Sequence, residues 1–132
     1  MLQITLLYGG LLGVLMALLS IRVPIRRATI DAPWGDGGDI QLSTQIRVFG
    51  NFIEYVPAIL LLMALLEFQG VNTGYLHLAG IALLLSRIVH AISLTADESP
   101  MWRKVGRGIG AMTTWLNLLA LSVAAIYQFT VL

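Results

Sequence analysis

The chain contains no cysteine, and this absence excludes several kinds of site at once. A chain without thiols forms no disulfide framework, no zinc–thiolate site, no iron–sulfur cluster and no cysteine nucleophile. Any thiol that takes part in chemistry here must therefore come from a ligand.

Charge is also scarce. Only 11% of the 132 residues are charged, eight basic and seven acidic, against about 25% in an ordinary soluble domain. Hydrophobic residues make up 58% of the chain, and the mean hydropathy is +0.84. Fifteen charged residues are too few to cover the surface of a soluble monomer of this size, which nearly excludes that class. The high content of hydrophobic residues excludes intrinsic disorder. The net charge of +1 leaves no excess of basic residues for a nucleic-acid partner.

Long apolar runs fill the chain instead. They predict four membrane spans, at about residues 2–21, 48–66, 75–94 and 108–131. At roughly 1.5 Å per residue, helices of these lengths cross a hydrocarbon core of about 30 Å. The predicted connections are a polar segment over 26–44, a short turn over 67–74 and a segment over 95–106. The predicted fold class is all-α, an integral membrane four-helix bundle in which residues 1–132 form a single domain.

The basic residues lie at one end of this predicted bundle. All eight flank the first or third connection or lie in the half of a span nearest to it: Arg22, Arg26, Arg27, Arg47, Arg87, Arg103, Lys104 and Arg107. The positive-inside rule makes this face cytoplasmic and puts both termini and the 67–74 turn outside. We interpret Arg26, Arg27 and Lys104 as simple topology signals.

Two spans carry ionisable side chains at depth, where charge is costly and usually functional. Arg47, Asn51 and Glu54 follow one another at spacings of four and three, which places them on one helix face. On the third span, Arg87 and His90 share a face. Glu54 and Arg87 each lie on the order of 10 Å below the basic end of their helices. This pattern predicts a polar crevice that opens to the cytoplasm, with Arg22 and Arg107 at its edge.

Several interpretations of the crevice are open. A structural salt bridge between Glu54 and Arg87 would lock the helices together. A single carboxylate does not need four arginines, however, and the surplus indicates an anionic guest that offers a cationic group to Glu54. A small transporter with an ion or proton relay is a rival, as is a non-catalytic membrane scaffold. The clustering of polar residues toward one face counts against a relay.

A motif on the second span resembles a known family. The segment Gln45-Ile-Arg47-Val-Phe-Gly-Asn51-Phe-Ile-Glu54-Tyr55-Val-Pro57 resembles the signature of the MAPEG superfamily, the membrane-associated proteins in eicosanoid and glutathione metabolism. The preceding Gly35-Asp-Gly-Gly-Asp39 resembles the loop of bacterial members. The resemblance implies a homotrimer that binds glutathione, its co-substrate, between neighbouring subunits near the cytoplasmic face of a bacterial inner membrane.

The resemblance also implies residue roles. Those implied to contact glutathione are Arg22, Arg47, Asn51, Glu54, Tyr55, Arg87 and His90. Arg107 is implied to be the catalytic residue that stabilises the glutathione thiolate, and Arg103 is the alternative for this role. The second substrate would be a hydrophobic electrophile or lipid peroxide from the bilayer. Leu94 stands where several eicosanoid enzymes have tyrosine, which favours a general glutathione transferase or peroxidase.

Overall fold

The computed structural model describes residues 2–94 and 100–131, which fold into four α-helices. They are α1 (Gln3–Ile30), α2 (Ile40–Phe68), α3 (Thr73–Ser93) and α4 (Met101–Val131). Each helix is long and apolar enough to cross a membrane, which confirms the predicted all-α membrane bundle. Helices α2 and α3 each contact all the others, whereas α1 and α4 do not touch in the described part of the chain.

The helices run alternately up and down, so the bundle has two distinct ends. We call the end that holds the α1–α2 connection and the start of α4 the basic end. The end that holds the start of α1, the α2–α3 turn and the end of α4 is the terminal end. Near the terminal end, the ring of Tyr8 on α1 packs edge-on to His77 of α3, with 5.8 Å between the ring centroids.

Three helices, α1, α2 and α4, extend further at the basic end than the apolar runs that predicted them. The predicted connection over 26–44 shrinks to 31–39, because α1 continues to Ile30 and α2 already begins at Ile40. Hydropathy marks only the lipid-facing part of a helix, and the backbone stays helical until a stop signal. Here Asp31 ends α1 in the left-handed conformation, with φ of 52°, and Asp39 caps α2. Helix α4 likewise begins at Met101, inside the predicted 95–106 connection, of which residues 95–99 lie outside the described residues.

Arg26 does more than mark topology, which corrects its interpretation as a simple signal. Its Nε and Nη2 atoms donate to Oδ1 and Oδ2 of Asp39 at 3.1 and 2.7 Å. Oδ1 of Asp39 also accepts from the backbone N–H of Leu42 at 2.6 Å, as an N-cap residue does. The Arg26 guanidinium and then this backbone N–H hold the pKa of Asp39 below its usual value. Arg27 likewise donates to the carbonyl of Pro33 at 3.0 Å.

Most of the residues buried in the bundle are apolar, and so is much of its outer surface. Leu12, Ile59, Met63 and Leu83 are almost fully buried, while 78% of Phe68 is exposed. Because lipid is as apolar as these side chains, helix association depends on close packing and interhelical hydrogen bonds.

Small residues and polar side chains supply such contacts near the terminal end. Gly80 lies directly against the Tyr8 ring, with no room for a Cβ atom. The Tyr8 hydroxyl and His77 Nδ1 are 3.1 Å apart, and Asn117 Nδ2 donates to the carbonyl of Ala79 at 2.9 Å. These contacts join α1 and α4 to α3.

The first turn of α1 is capped by a side chain from α2. Leu2, at the N-cap position, makes no side-chain cap. Instead, the backbone N–H groups of Ile4 and Thr5 donate to Oε1 and Oε2 of Glu67, each at 2.8 Å. The two carboxylate oxygens thus satisfy donors that have no partner within the helix.

The Arg26–Asp39 pair predicts a pH-dependent stability. An Asp39→Asn substitution keeps the cap acceptor but removes the charge. Because the pKa of Asp39 is lowered in the folded chain, the pair stabilises the fold above the unfolded pKa of about 3.9. This stabilisation is lost as the pH falls through the lower folded pKa. In detergent, the wild-type protein should melt above Asp39→Asn at neutral pH, and the two melting temperatures should converge in acid.

An Asp31→Asn variant is the control, because asparagine tolerates the left-handed conformation and Asp31 forms no ion pair with a described residue. A melting difference between wild type and Asp39→Asn that persists unchanged in acid would contradict the prediction.

The Glu67 cap predicts a second effect on stability. A Glu67→Ala substitution leaves two N–H groups of α1 without their acceptor and should destabilise the fold by roughly 1–2 kcal/mol, as loss of a helix cap does. The neighbouring Gln69→Ala removes an exposed side chain but keeps the backbone N–H with which residue 69 caps the end of α2, so the melting temperature should stay nearly unchanged. Equal melting temperatures for the two variants would show that the cap contributes nothing.

Candidate functional site

Helices α3 and α4 approach each other closely at the basic half of the bundle because α4 presents glycine there. A Cβ atom on Gly110 would lie 2.9 Å from the carbonyl oxygen of Ser86 and 3.0 Å from Cβ of His90. A Cβ atom on Gly106 would overlap the Ser93 hydroxyl. The two glycines are four residues apart and therefore open one face of α4 to α3.

This close approach lets Arg87 reach across the bundle from α3. Its Nη2 atom donates to Oγ1 of Thr114 at 2.5 Å and to the carbonyl of Gly110 at 3.2 Å. Its Nη1 atom donates to the carbonyl of Asn51 at 3.3 Å. Arg87 is only 3% exposed, and its buried Nε has no hydrogen-bond partner among residues 2–94 and 100–131. One guanidinium thus joins α2, α3 and α4 through neutral oxygens, and no carboxylate pairs with it in the described chain.

His90 lies one turn from Arg87 and is also buried. Its Nε2 atom is 3.2 Å from Nδ2 of Asn51. An amide nitrogen can only donate, so Asn51 is the donor of this contact when Nε2 of His90 carries no proton. The predicted partners Asn51, Arg87 and His90 therefore do come together.

A small cavity of about 60 Å³ lies beside these groups. Apart from Ala111, the residues that line it from α2, α3 and α4 are polar or aromatic: Asn51, Tyr55, Arg87, His90, Thr114 and Trp115. Since one water occupies about 30 Å³ of liquid, the cavity has space for a single functional group such as a carboxylate. A whole tripeptide would have to extend onto the surface around it. Among the described residues, no group of three or more acidic or histidine side chains could hold a metal ion.

Other predicted site residues do not line the cavity and lie on the surface of the chain, one turn along α2 or α4 from residues that do. Arg47 and Glu54 are exposed, each within one turn of Asn51 on α2. Arg107 is exposed one turn before Ala111 on α4. The ion pair considered for Glu54 and Arg87 does not form, because the only ion pair between two described residues joins Arg26 and Asp39. Glu54 is thus an exposed carboxylate within a membrane-spanning helix.

Arg22 and Arg103 are placed differently from the rest. Arg22 lines a separate groove on the α1 side of the bundle with Gln41 and Thr44. Within one chain it does not join the crevice predicted for it, because α1 does not reach α4. Arg103 lies one turn before Arg107, and its guanidinium carbon is 5.1 Å from the ring centroid of Trp102. Both Arg103 and Arg107 are therefore near the start of α4.

Thr114 belongs to this cluster although sequence reasoning did not single it out. Its hydroxyl accepts from Arg87, donates to the carbonyl of Gly110 at 2.9 Å and lies 3.0 Å from Oγ of Ser86. The signal was the spacing of Gly106, Gly110 and Thr114 at intervals of four, which indicates one small-residue face of α4.

Together these features define a class: a four-helix integral membrane protein with a polar cavity between α2, α3 and α4 that is lined by a buried arginine. A sequence model of the MAPEG family matches residues 5–127, and the chain belongs to this family. Two similar relatives, both named inner membrane protein YecN, come from Escherichia coli strains K12 and O6:H1 (strain CFT073). Each is 32% identical over 125 residues, 95% of this chain and 92% of the relative. No solved structure matches the chain significantly.

The glycine face of α4 predicts opposite effects at two neighbouring positions. Gly110→Ala forces a Cβ atom against the backbone of α3 and should destabilise the fold by about 1–3 kcal/mol. At Gly108→Ala, the new Cβ atom has no described residue within 4 Å outside its own helix, so this variant should stabilise α4 by roughly 0.5–1 kcal/mol. Melting in detergent measures both changes. If the two variants shift the melting temperature in the same direction, the close α3–α4 contact does not determine stability.

Proposed function

We propose that this protein is a glutathione-dependent transferase or peroxidase that acts on hydrophobic electrophiles or lipid peroxides. The observation that carries the proposal is Arg87, a buried cation beside a cavity, with no carboxylate among the described residues to neutralise it. Glutathione offers two carboxylates, and arginine is the residue best suited to bind them. Membership of the MAPEG family supports this assignment.

The exposed charges favour a site shared between copies of the chain. Glu54 and Arg47 are exposed on α2, and Arg107 is exposed on α4. A carboxylate such as Glu54 is costly against lipid, and a second copy packed over this surface would remove it from the hydrocarbon. We therefore propose the homotrimer that the family resemblance implies, with Arg22 reaching the site from a neighbouring subunit.

The residues around the cavity fit the parts of glutathione. Arg87 and Arg47 would bind its carboxylates, and Glu54 would bind its ammonium group. Asn51, Tyr55 and His90 offer neutral hydrogen-bonding groups to the peptide. Because the cavity admits only one functional group, the rest of the tripeptide would extend over the surface that the neighbouring subunit covers.

Arg107 is the proposed catalytic residue. Glutathione supplies the thiol nucleophile that the chain lacks. A thiol has a pKa of about 8.5, and a nearby guanidinium favours its ionised form. In conjugation, the sulfur forms a bond to the electrophilic carbon, the leaving group departs with its electron pair, and the thiol proton passes to water. Arg107 needs only to hold the negative charge on sulfur near the membrane, where the second substrate dissolves.

The cellular location belongs to the same proposal. The similar relatives are named inner membrane proteins. We propose a bacterial inner membrane here as well, with the basic end and the site facing the cytoplasm and both termini outside.

Alanine variants at three neighbouring positions test the catalytic assignment. We expect Arg107→Ala to reduce conjugation of glutathione to chlorodinitrobenzene by roughly 100-fold, as loss of one charge-stabilising group does. Glutathione binding measured by calorimetry should change much less, while the ultraviolet absorbance of the bound thiolate should disappear. Lys104→Ala, on the same helix, is the control and should keep its turnover.

The outcomes separate the alternatives. Unchanged turnover in Arg107→Ala combined with loss in Arg103→Ala would transfer the role to Arg103. A wild-type protein that does not bind glutathione would contradict the whole proposal. In that case, ion flux in proteoliposomes would favour a transporter, and the absence of flux would favour a scaffold.

A further inference from the structure

The side chain of Thr114 holds the guanidinium of Arg87 from the α4 side. Its hydroxyl oxygen accepts from Nη2 of Arg87 at 2.5 Å, the shortest of the three hydrogen bonds between this guanidinium and described residues. The hydroxyl donates its own proton to the carbonyl of Gly110 at 2.9 Å. Because this bond to the preceding turn of α4 fixes the proton, the lone pairs of the oxygen are left to face Arg87.

The orientation of Arg87 depends on such acceptors. Its buried Nε has no hydrogen-bond partner among the residues that the structure describes. An N–H group buried without an acceptor costs free energy, which the bonds made by Nη1 and Nη2 must offset. Two of their acceptors, the carbonyls of Asn51 and Gly110, belong to the backbone and are present whatever side chain stands there. The Thr114 hydroxyl is the acceptor that the identity of one side chain decides.

Thr114 can affect a carboxylate in the cavity only through Arg87. Thr114 is 1% exposed and lines the cavity together with Arg87. A carboxylate accepts hydrogen bonds, and the single proton of the Thr114 hydroxyl is already donated to Gly110. The guanidinium carries more N–H groups than its bonds to described residues use, so it retains donors for a ligand.

We propose that Thr114 is a positioning residue for carboxylate binding, which fixes Arg87 at the cavity wall in the orientation that meets the ligand. This inference rests on the proposed function, in which Arg87 binds a carboxylate of glutathione. A side chain that is already held in its binding orientation loses less freedom when the ligand binds, and affinity rises accordingly. Thr114 thus acts on the affinity for glutathione and leaves the thiolate, the task proposed for Arg107, unaffected.

Substitutions at Thr114 in the full-length protein test this proposal. Thr114→Val keeps the shape of the side chain but removes the acceptor, so we expect Arg87 to be in its binding orientation in only about a tenth of the molecules. In the chlorodinitrobenzene assay, the KM for glutathione should rise about tenfold while kcat stays within about twofold. Calorimetry should show the same loss of glutathione affinity. Thr114→Ser keeps the hydroxyl and should restore both values.

Asn117→Leu is the matched control for a purely structural effect. Asn117 is three residues further along α4, is also buried, and links α4 to α3 through its bond to the carbonyl of Ala79, but it does not line the cavity. This variant should lower the melting temperature and leave the KM for glutathione unchanged. If Thr114→Val does not fold, Thr114→Ala, which adds no group beside the guanidinium, takes its place with the same expected result.

A double-mutant cycle tests whether Thr114 acts through Arg87. Arg87→Gln should itself weaken glutathione binding, and adding Thr114→Val should cause no further loss, because no guanidinium is left to position.

Three results would overturn the proposal: an unchanged KM in the Thr114 variant without a hydroxyl, an equal rise in KM in Asn117→Leu, or a further loss of affinity when Thr114→Val is added to Arg87→Gln. A wild-type protein that does not bind glutathione would remove the proposed function and this inference together. Wild-type binding that is insensitive to the Thr114 hydroxyl would remove this inference alone.

Discussion

The guanidinium of Arg87 organises the basic half of the bundle. A membrane interior offers no water to satisfy a buried cation, so every hydrogen bond that Arg87 makes must come from the protein or a ligand. Its terminal nitrogens use oxygens from α2 and α4, and this requires α4 to lie close to α3. Gly110 permits that distance because it has no Cβ atom. The packing of three helices and the polarity of the cavity therefore depend on the same contact.

The general architecture could be predicted from the sequence because long apolar runs have few alternatives to helices that span a membrane. The positions of the helix ends were harder to predict from the sequence, because the 26–44 segment contains enough polar residues to suggest a loop. They depend on single residues such as Asp31 and Asp39, and on the Arg26–Asp39 pair that forms only when the connection folds back. The Glu67 cap on α1 could not be predicted either, because its donors lie 63 and 62 residues away in the chain.

The candidate site was predictable to the extent that helical spacing determines it. Spacings of three and four correctly grouped Arg87 with His90, but no spacing rule indicates which helices meet. The expected partner of Arg87 was therefore a charge at similar depth, Glu54, whereas the structure provides backbone carbonyls and Thr114. Glu54 instead lies on the outer surface. Sequence spacing predicts which residues share a helix face. The rotation of each helix about its own axis determines which neighbouring helix that face contacts.

The bond between Glu67 and the start of α1 also concerns the order in which the chain is made. The first helix leaves the ribosome before the second, yet two of its amide groups find their acceptor only at the far end of the second helix. Until α2 has crossed the bilayer, these amides need water or lipid headgroups as temporary partners. The first two helices are thus expected to complete their insertion as a hairpin, and α3 and α4 can then assemble on a finished pair.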